Sequence, residues 1–323
     1  MPPHGHDHSH GHEAHDGHGH HAPHAHHAHA HTGAKGTAFA VGIGLNLTFV
    51  VAEVIAGFFA HSVALIADAG HNFGDVLGLG LAWGAAALAQ RRPSARRTYG
   101  LRRTTIVASV ANALALLFIT GGLAWESVRR LASPSAIDAK TVILVAIAGT
   151  VLNTVAAIPF LRGREKDLNV KAAFTHLAAD AVLSLGVAVA GAVVLYTGWA
   201  WVDPAMSLVL AVSILAGTWS LMRSSLNLML DAVPEGIDPD AVRGFLCSLP
   251  GVVQIHDLHI WAMSTTETAL TAHLVMPRAA HAPTFVSEAC QAIHDQFGIE
   301  HATLQVDPEE AKEPCKLAAG EGV

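Results

Sequence analysis

Two five-residue stretches, HNFGD at 71–75 and HLAAD at 176–180, each place a histidine four positions before an aspartate inside a long apolar run. In a helix, four residues advance about 6 Å along one face. His71 and Asp75 therefore point one way on their helix, and His176 and Asp180 do so on theirs. An ionised aspartate at the centre of a bilayer costs about 3 kcal/mol on insertion scales, so it is paired, hydrated or bound to an ion. One such pair reads most simply as hydrogen bonding across a helix interface. Two pairs on different helices offer two imidazoles and two carboxylates, the ligand number that Zn2+ prefers in a tetrahedral site, with two negative charges to balance the cation. The repeat turns the reading toward a metal site between two spans.

The elements that must hold these residues are membrane helices. The chain has 323 residues, is 51% hydrophobic and 14% charged, and has a mean hydropathy of +0.39, a balance that points to a membrane class. Apolar runs near 37–59, 64–89, 105–128, 138–160, 173–196 and 202–223 are each long enough to span a bilayer. The first two are joined by a short turn, as are the last two, so each pair predicts a tight hairpin. Six arginines fall in the linker 91–103, and four Arg or Lys in 161–171, whereas the turns at 60–63 and 197–201 carry none. By the positive-inside rule both basic linkers, and with them both termini, face the cytoplasm; Arg129 and Arg130 lie on the other side. Gly74 and Gly78, then Gly80 and Gly84, have the spacing that lets helices approach closely.

Residues 1–33 have no apolar core of a signal peptide and hold 14 histidines. Such a tract builds no hydrophobic core, and its neutral imidazoles can donate to zinc, nickel or copper. The net charge of -7 argues against a nucleic-acid partner. Cys247, Cys290 and Cys315 have no ligand spacing and form no disulfide framework. Enzyme motifs are missing: the tail offers His12 and Glu13, but Asp16 stands where a zinc protease needs its second histidine, and there is no GxSxG or nucleotide-binding loop.

From about residue 230 the pattern changes. Asp238 before Pro239 predicts a capped helix over 239–249. VVQIHDLHIWAM, TALTAHLVM and ATLQVD read as strands, and Phe285, Ala289, Ile293 and Phe297 have helical spacing. If QIHDLHIW is one regular strand, His256 shares a face with Leu258 and Ile260, while His259 shares the other with Ile255, Asp257 and Trp261. The two cannot then chelate one ion without a bulge. His273 and Asp307 can reach the same region from neighbouring strands.

HNFGD preceded by LIAD, HLAAD in the fifth span, and a following α+β segment containing HDLHIW and TLQVD together resemble the cation diffusion facilitator family, most closely its bacterial zinc-exporting branch, from about residue 36 to 310. The resemblance implies an all-α membrane domain of six transmembrane helices followed by a small α+β ferredoxin-like cytoplasmic domain. It implies that His71, Asp75, His176 and Asp180 form the transport site, and that Zn2+ leaves the cytoplasm in exchange for protons by alternating access in a homodimer in a bacterial inner membrane. Members with this two-His two-Asp set favour zinc, and those with aspartate at the position of His71 accept cadmium more readily. Positions matching His256, His273 and Asp307 bind regulatory zinc in the cytoplasmic domain. A further ligand often matches Gln305, and glutamine is a poor zinc ligand; His259 and His301 are the candidates to replace it.

The expected organisation is a disordered His-rich tail over 1–35, a transport domain over 36–226, a dimerisation and metal-regulatory domain over 227–310, and a flexible tail over 311–323. Zn2+ is the expected substrate and regulatory ligand, protons the counter-ion, and no organic cofactor or catalytic residue is expected. The competing reading is a membrane-embedded zinc sensor or scaffold that binds the ion without moving it.

Overall fold

The structure, a computed structural model, describes residues 34–161, 165, 167–277 and 284–308. The expectations for the His-rich tail, the C-terminal tail and Cys315 fall outside these residues. Six long helices come first: α1 Ala34–Phe59, α2 Val63–Ala89, α3 Thr104–Ala132, α4 Ala139–Ala157, α5 Leu168–Thr197 and α6 Val202–Met229. Among the described residues, α2 to α6 are each long and apolar enough to cross a membrane, α4 together with the short 3-10 turn that follows it, and α1 adds the apolar stretch Asn46–Phe59. Their surfaces expose Phe58, Trp83, Phe118, Trp125 and Leu144, an outward apolar face suited to lipid.

Polar contacts at one end of the bundle fix the helices relative to one another. Ser62 caps α2 by accepting from the Leu65 N–H at 3.1 Å, and its hydroxyl also donates to Asp203 of α6. The Asp203 carboxylate accepts from the Val63 N–H at 2.8 Å, so α6 supplies an acceptor for a helix end that would otherwise keep unsatisfied donors. Asp138 caps α4, and its N–H donates to the Ala60 carbonyl at 3.0 Å. The Thr141 hydroxyl and N–H hold the Asp138 carboxyl below its ordinary range. Arg130 at the end of α3 donates to the His61 carbonyl. Between these ties lies a dry cluster of Ala60, Ala64, Leu65, Ala67, Val142, Ala146, Val187 and Leu210.

The C-terminal unit has the expected order of helix, strand, strand, helix, strand: α7 Pro239–Ser248, β1 Gln254–Ala262, β2 Thr268–Met276, α8 Phe285–Phe297 and β3 His301–Pro308. Asp238 caps α7 through the Asp240 N–H, with Pro239 in the first turn. The sheet order is β1-β2-β3, with β1 antiparallel and β3 parallel to β2. Val242, Leu246, Phe285 and Ile293 of the helices pack on Ile255, Leu258, Ile260, Leu270 and Leu274. One sheet face is thus covered, and the other carries polar side chains. Arg102 and Arg103, just before α3, pair with Glu267 and Asp231, tying the two units together.

The glycine expectation divides. A Cβ on Gly74 would lie 2.2 Å from a methyl of Leu116, and one on Gly78 would lie 2.9 Å from the Asn112 amide, so α2 presses on α3 at this pair. Gly80 and Gly84 meet nothing within 4 Å, and close packing does not explain them within one chain. Gly74→Val should therefore destabilise the protein by about 1–3 kcal/mol, the usual scale of overpacking. Thermal melting in detergent should show a clear fall for this variant and little change for Gly80→Val.

Candidate functional site

α2 and α5 run side by side in opposite directions, which brings the two His and Asp pairs to one place. His71 Nε2 lies 3.1 Å from Asp180 Oδ1. His176 Nε2 lies 3.4 Å from Asp75 Oδ2 and 3.5 Å from Asp180 Oδ2. His71, Asp75 and Asp180 each offer an atom within 4.8 Å of the others, and the two imidazole rings are 6.3 Å apart, edge to face. All four residues singled out in the spans therefore meet, two from each helix.

Exposure grades across the cluster. The side chains of Asp75 and His176 are 35% and 37% exposed, those of His71 and Asp180 only 17% and 6%. Asp75 lies further along α2 toward the arginine linker 91–103, and His176 lies nearer the start of α5 beside the linker 161–171. The accessible half of the cluster thus faces the basic linkers. On its other side Asp68, 1% exposed, accepts from the Ser184 hydroxyl at 2.9 Å. Glu53, fully buried, accepts from the Asn72 amide at 3.0 Å. Asp68 is thus buried one turn behind His71.

The second cluster lies on the uncovered face of the sheet. His256 pairs with His273 across β1 and β2, and Gln305 and Asp307 follow on β3. Asp307 Oδ2 lies 3.6 Å from His256 Nε2 and 3.4 Å from His273 Nδ1, and these three residues offer atoms within 4.8 Å of one another. The rings of His256 and His273 are 5.1 Å apart. Gln305 turns its amide to Asp307 Oδ1 at 2.8 Å, acting as a donor to the carboxylate. His301 instead packs against Tyr99.

One expectation is corrected here. β1 is not a regular strand: its register shifts between His256 and His259, which face His273 and Thr271. Three steps along β1 span two along β2, so one extra residue is inserted, a β-bulge. Asp257 takes it up at φ 54, a left-handed conformation that aspartate tolerates better than most residues. The bulge puts Ile255 and Leu258 into the core together and leaves His256 and His259 on the same side. It also brings Asp257 into the cluster, 2.9 Å from His259 Nε2 and 3.6 Å from His273 Nε2. Sequence reading had not singled out Asp257.

The two described thiols stay outside both clusters. Cys247 is exposed, and burial pushes the Cys290 thiol above its ordinary range, away from a reactive thiolate.

Comparison with known proteins adds to this geometry. Residues 39–230 match the cation efflux transmembrane domain, and residues 234–309 match the cation efflux protein cytoplasmic domain. The chain is similar to the metal cation efflux system protein CzcD of Cupriavidus metallidurans, with 36% identity over 90% of this chain and 91% of the relative. It is similar to the zinc transporter ZitB of Escherichia coli, with 31% identity over 91% of this chain and 96% of that one. A cadmium, cobalt and zinc/H(+)-K(+) antiporter of Bacillus subtilis is 28% identical over 87% of this chain and 92% of its own length. With both domain matches in chain order and relatives aligned over most of its length, the chain belongs to the cation efflux family of multi-pass membrane transporters, which are not enzymes.

Proposed function

We propose that this chain is a zinc/proton antiporter that exports Zn2+ from the cytoplasm through the site formed by His71, Asp75, His176 and Asp180. The observation that carries the reading is the convergence of two His and Asp pairs from α2 and α5 onto one cluster inside the membrane domain. Two imidazoles and two carboxylates suit a borderline cation and neutralise its charge. The names of the E. coli and B. subtilis relatives support zinc as cargo and protons as counter-ion.

Competition for the same atoms couples the ions. An imidazole binds zinc only through an unprotonated nitrogen, and a protonated carboxyl is a poor ligand, so metal and protons exclude each other. Facing the cytoplasm, the deprotonated site takes Zn2+; facing outward, protonation of His71, His176 or a carboxylate favours release, and the protonated site returns. The positive-inside rule puts linkers 91–103 and 161–171 and both termini in the cytoplasm of a bacterial inner membrane. On that orientation, the exposure of Asp75 and His176 corresponds to a cytoplasm-facing state. The dry cluster around Leu65, Val187 and Leu210 then closes the far side.

Residues 36–226 form the transport domain in this reading, and residues 227–310 form a dimerisation and regulatory domain. The uncovered sheet face is the surface on which a second copy would pack to make a homodimer. Its cluster suits a cation on chemical grounds: Asp307 Oδ2 and His256 Nδ1 are buried, and neither makes a hydrogen bond among the described residues. His256, His273 and Asp307 would hold regulatory Zn2+ there, which would supply charge neutralisation and a tie between strands. The tails over 1–35 and 311–323 are accessory, the first a histidine-rich collector of ions at the entrance.

Zinc uptake into inverted vesicles with an acidic lumen is the decisive assay. Asp75→Ala and Asp180→Ala should each reduce it by more than about tenfold, since even the outer partners of a bound metal are worth 10–100-fold. Saturable zinc binding with no accumulation in sealed vesicles would instead favour a sensor or scaffold. Exchanging His71→Asp removes a nitrogen and adds a carboxylate, so cadmium transport should rise relative to zinc in competition assays. An unchanged ratio would place selectivity outside this ligand set. Deleting residues 1–33 should preserve transport at saturating zinc and alter it only at low zinc; complete loss by a folded protein would contradict an accessory tail.

A further inference from the structure

Glu53 of α1 and Asp68 of α2 are buried at 0% and 1% exposure within the membrane domain, and neither belongs to the four-residue cluster. Among the described residues no lysine or arginine pairs with either. The Glu53 carboxyl accepts from Asn72 through Oε2, but its buried Oε1 meets no hydrogen-bond partner among the described residues. Asp68 Oδ2 accepts from Ser184. Asp68 and Asn72 are four residues apart on one face of α2, so the Glu53 carboxyl bonded to Asn72 lies against the face that carries Asp68. The charged residues of the other packed helices lie away from this place. Glu126, Arg129, Arg130, Lys140 and Asp203 gather at the end near His61, and Lys171 of α5 and Arg223 of α6 lie toward the opposite end of the bundle.

Two ionised carboxylates without a basic partner are strongly disfavoured in a dry bundle, and an orphaned oxygen adds to the penalty. A proton on Glu53 removes the like-charge repulsion with Asp68 and keeps the Asn72 bond. We propose that Glu53, coupled to Asp68, is a proton-carrying site separate from the metal ligands, occupied when the metal site is empty and discharged when Zn2+ fills it. This rests on the antiport reading and specifies which residue carries part of the coupling. The link is electrostatic and mechanical. Zn2+ brings two positive charges beside the pair and stabilises the ionised carboxylate. Asn72 follows His71 in the chain, and Ser184 lies one turn from Asp180 on α5. A shift of α2 against α5 that opens the metal site outward also changes the surroundings of Glu53 and Asp68. The proton is taken up from the outer side as zinc leaves and is given up toward the cytoplasm when the next zinc binds.

The test uses the full chain in proteoliposomes, recording zinc and proton fluxes together. Glu53→Gln keeps the shape and the hydrogen bond to Asn72 but cannot carry the proton. The protons moved per zinc should fall by about one, the capacity of a single carboxyl, and zinc flux should depend less on the pH gradient. An unchanged ratio with an unchanged pH dependence overturns the proposal. Wild-type protein that moves zinc without protons overturns the antiport reading itself. Infrared difference spectroscopy decides the matter even where the variant transports poorly. Zinc should abolish a protonated-carboxyl C=O band in the wild type, and that change should be missing in Glu53→Gln. A band that responds identically in both proteins assigns the proton to another group and refutes the proposal.

Discussion

A carboxylate carried into a helix bundle must find a partner there, and the membrane domain is arranged around that requirement at Asp180. Its side chain is 6% exposed; His176 Nε2 of its own helix lies 3.5 Å from Oδ2, and His71 Nε2, from a different helix, lies 3.1 Å from Oδ1. The contact obliges α2 and α5 to lie side by side at this depth. The rest of the bundle serves the same end. Asp203 of α6 caps α2, α3 presses on α2 where Gly74 and Gly78 leave room, and α4 backs α5 where Gly191 meets Val142 and Ile143.

Polarity and access are distributed unequally along the bundle. Toward the arginine linkers the cluster is open through Asp75 and His176; toward the opposite end it gives way to Asp68 and then to close-packed alanine, leucine and valine. Hydrocarbon-like packing there excludes a hydrated ion, so any passage outward requires the helices to repack. The C-terminal unit is tied to this bundle at the foot of α3. Arg103 pairs with Asp231, Arg102 with Glu267, and the Thr265 N–H donates to the Thr105 hydroxyl at 3.1 Å. A metal that joined β1, β2 and β3 would stiffen the sheet whose loop makes two of these contacts.

What the sequence disclosed follows from periodicity. The HxxxD spacing fixes a helical face whatever the helix packs against, so both pairs were legible, as were the spans and the order of elements in the C-terminal unit. Asp238 and Pro239 announced α7 for the same local reason. The bulge at Asp257 was missed because a regular alternation was assumed. Its signal was present: with the large, half-buried Trp261 set aside, the apolar residues of β1 fall at Ile255, Leu258, Ile260 and Ala262, and the single step of three marks an inserted residue. The surroundings of Glu53 and Asp68 were not legible, because they depend on which faces of three helices meet. The four-residue spacing of Gly80 and Gly84 looked like that of Gly74 and Gly78, yet only the latter pair lies against a neighbour.

The central claim is that Zn2+ passes through the space between α2 and α5, held by two residues from each. Diffraction data collected on the full-length protein with zinc, on both sides of the zinc absorption edge, test it directly. The account predicts an anomalous peak within bonding distance of His71, Asp75, His176 and Asp180, lost in a folded Asp180→Ala protein. Peaks confined to the cytoplasmic sheet or elsewhere, with none between α2 and α5, would contradict it.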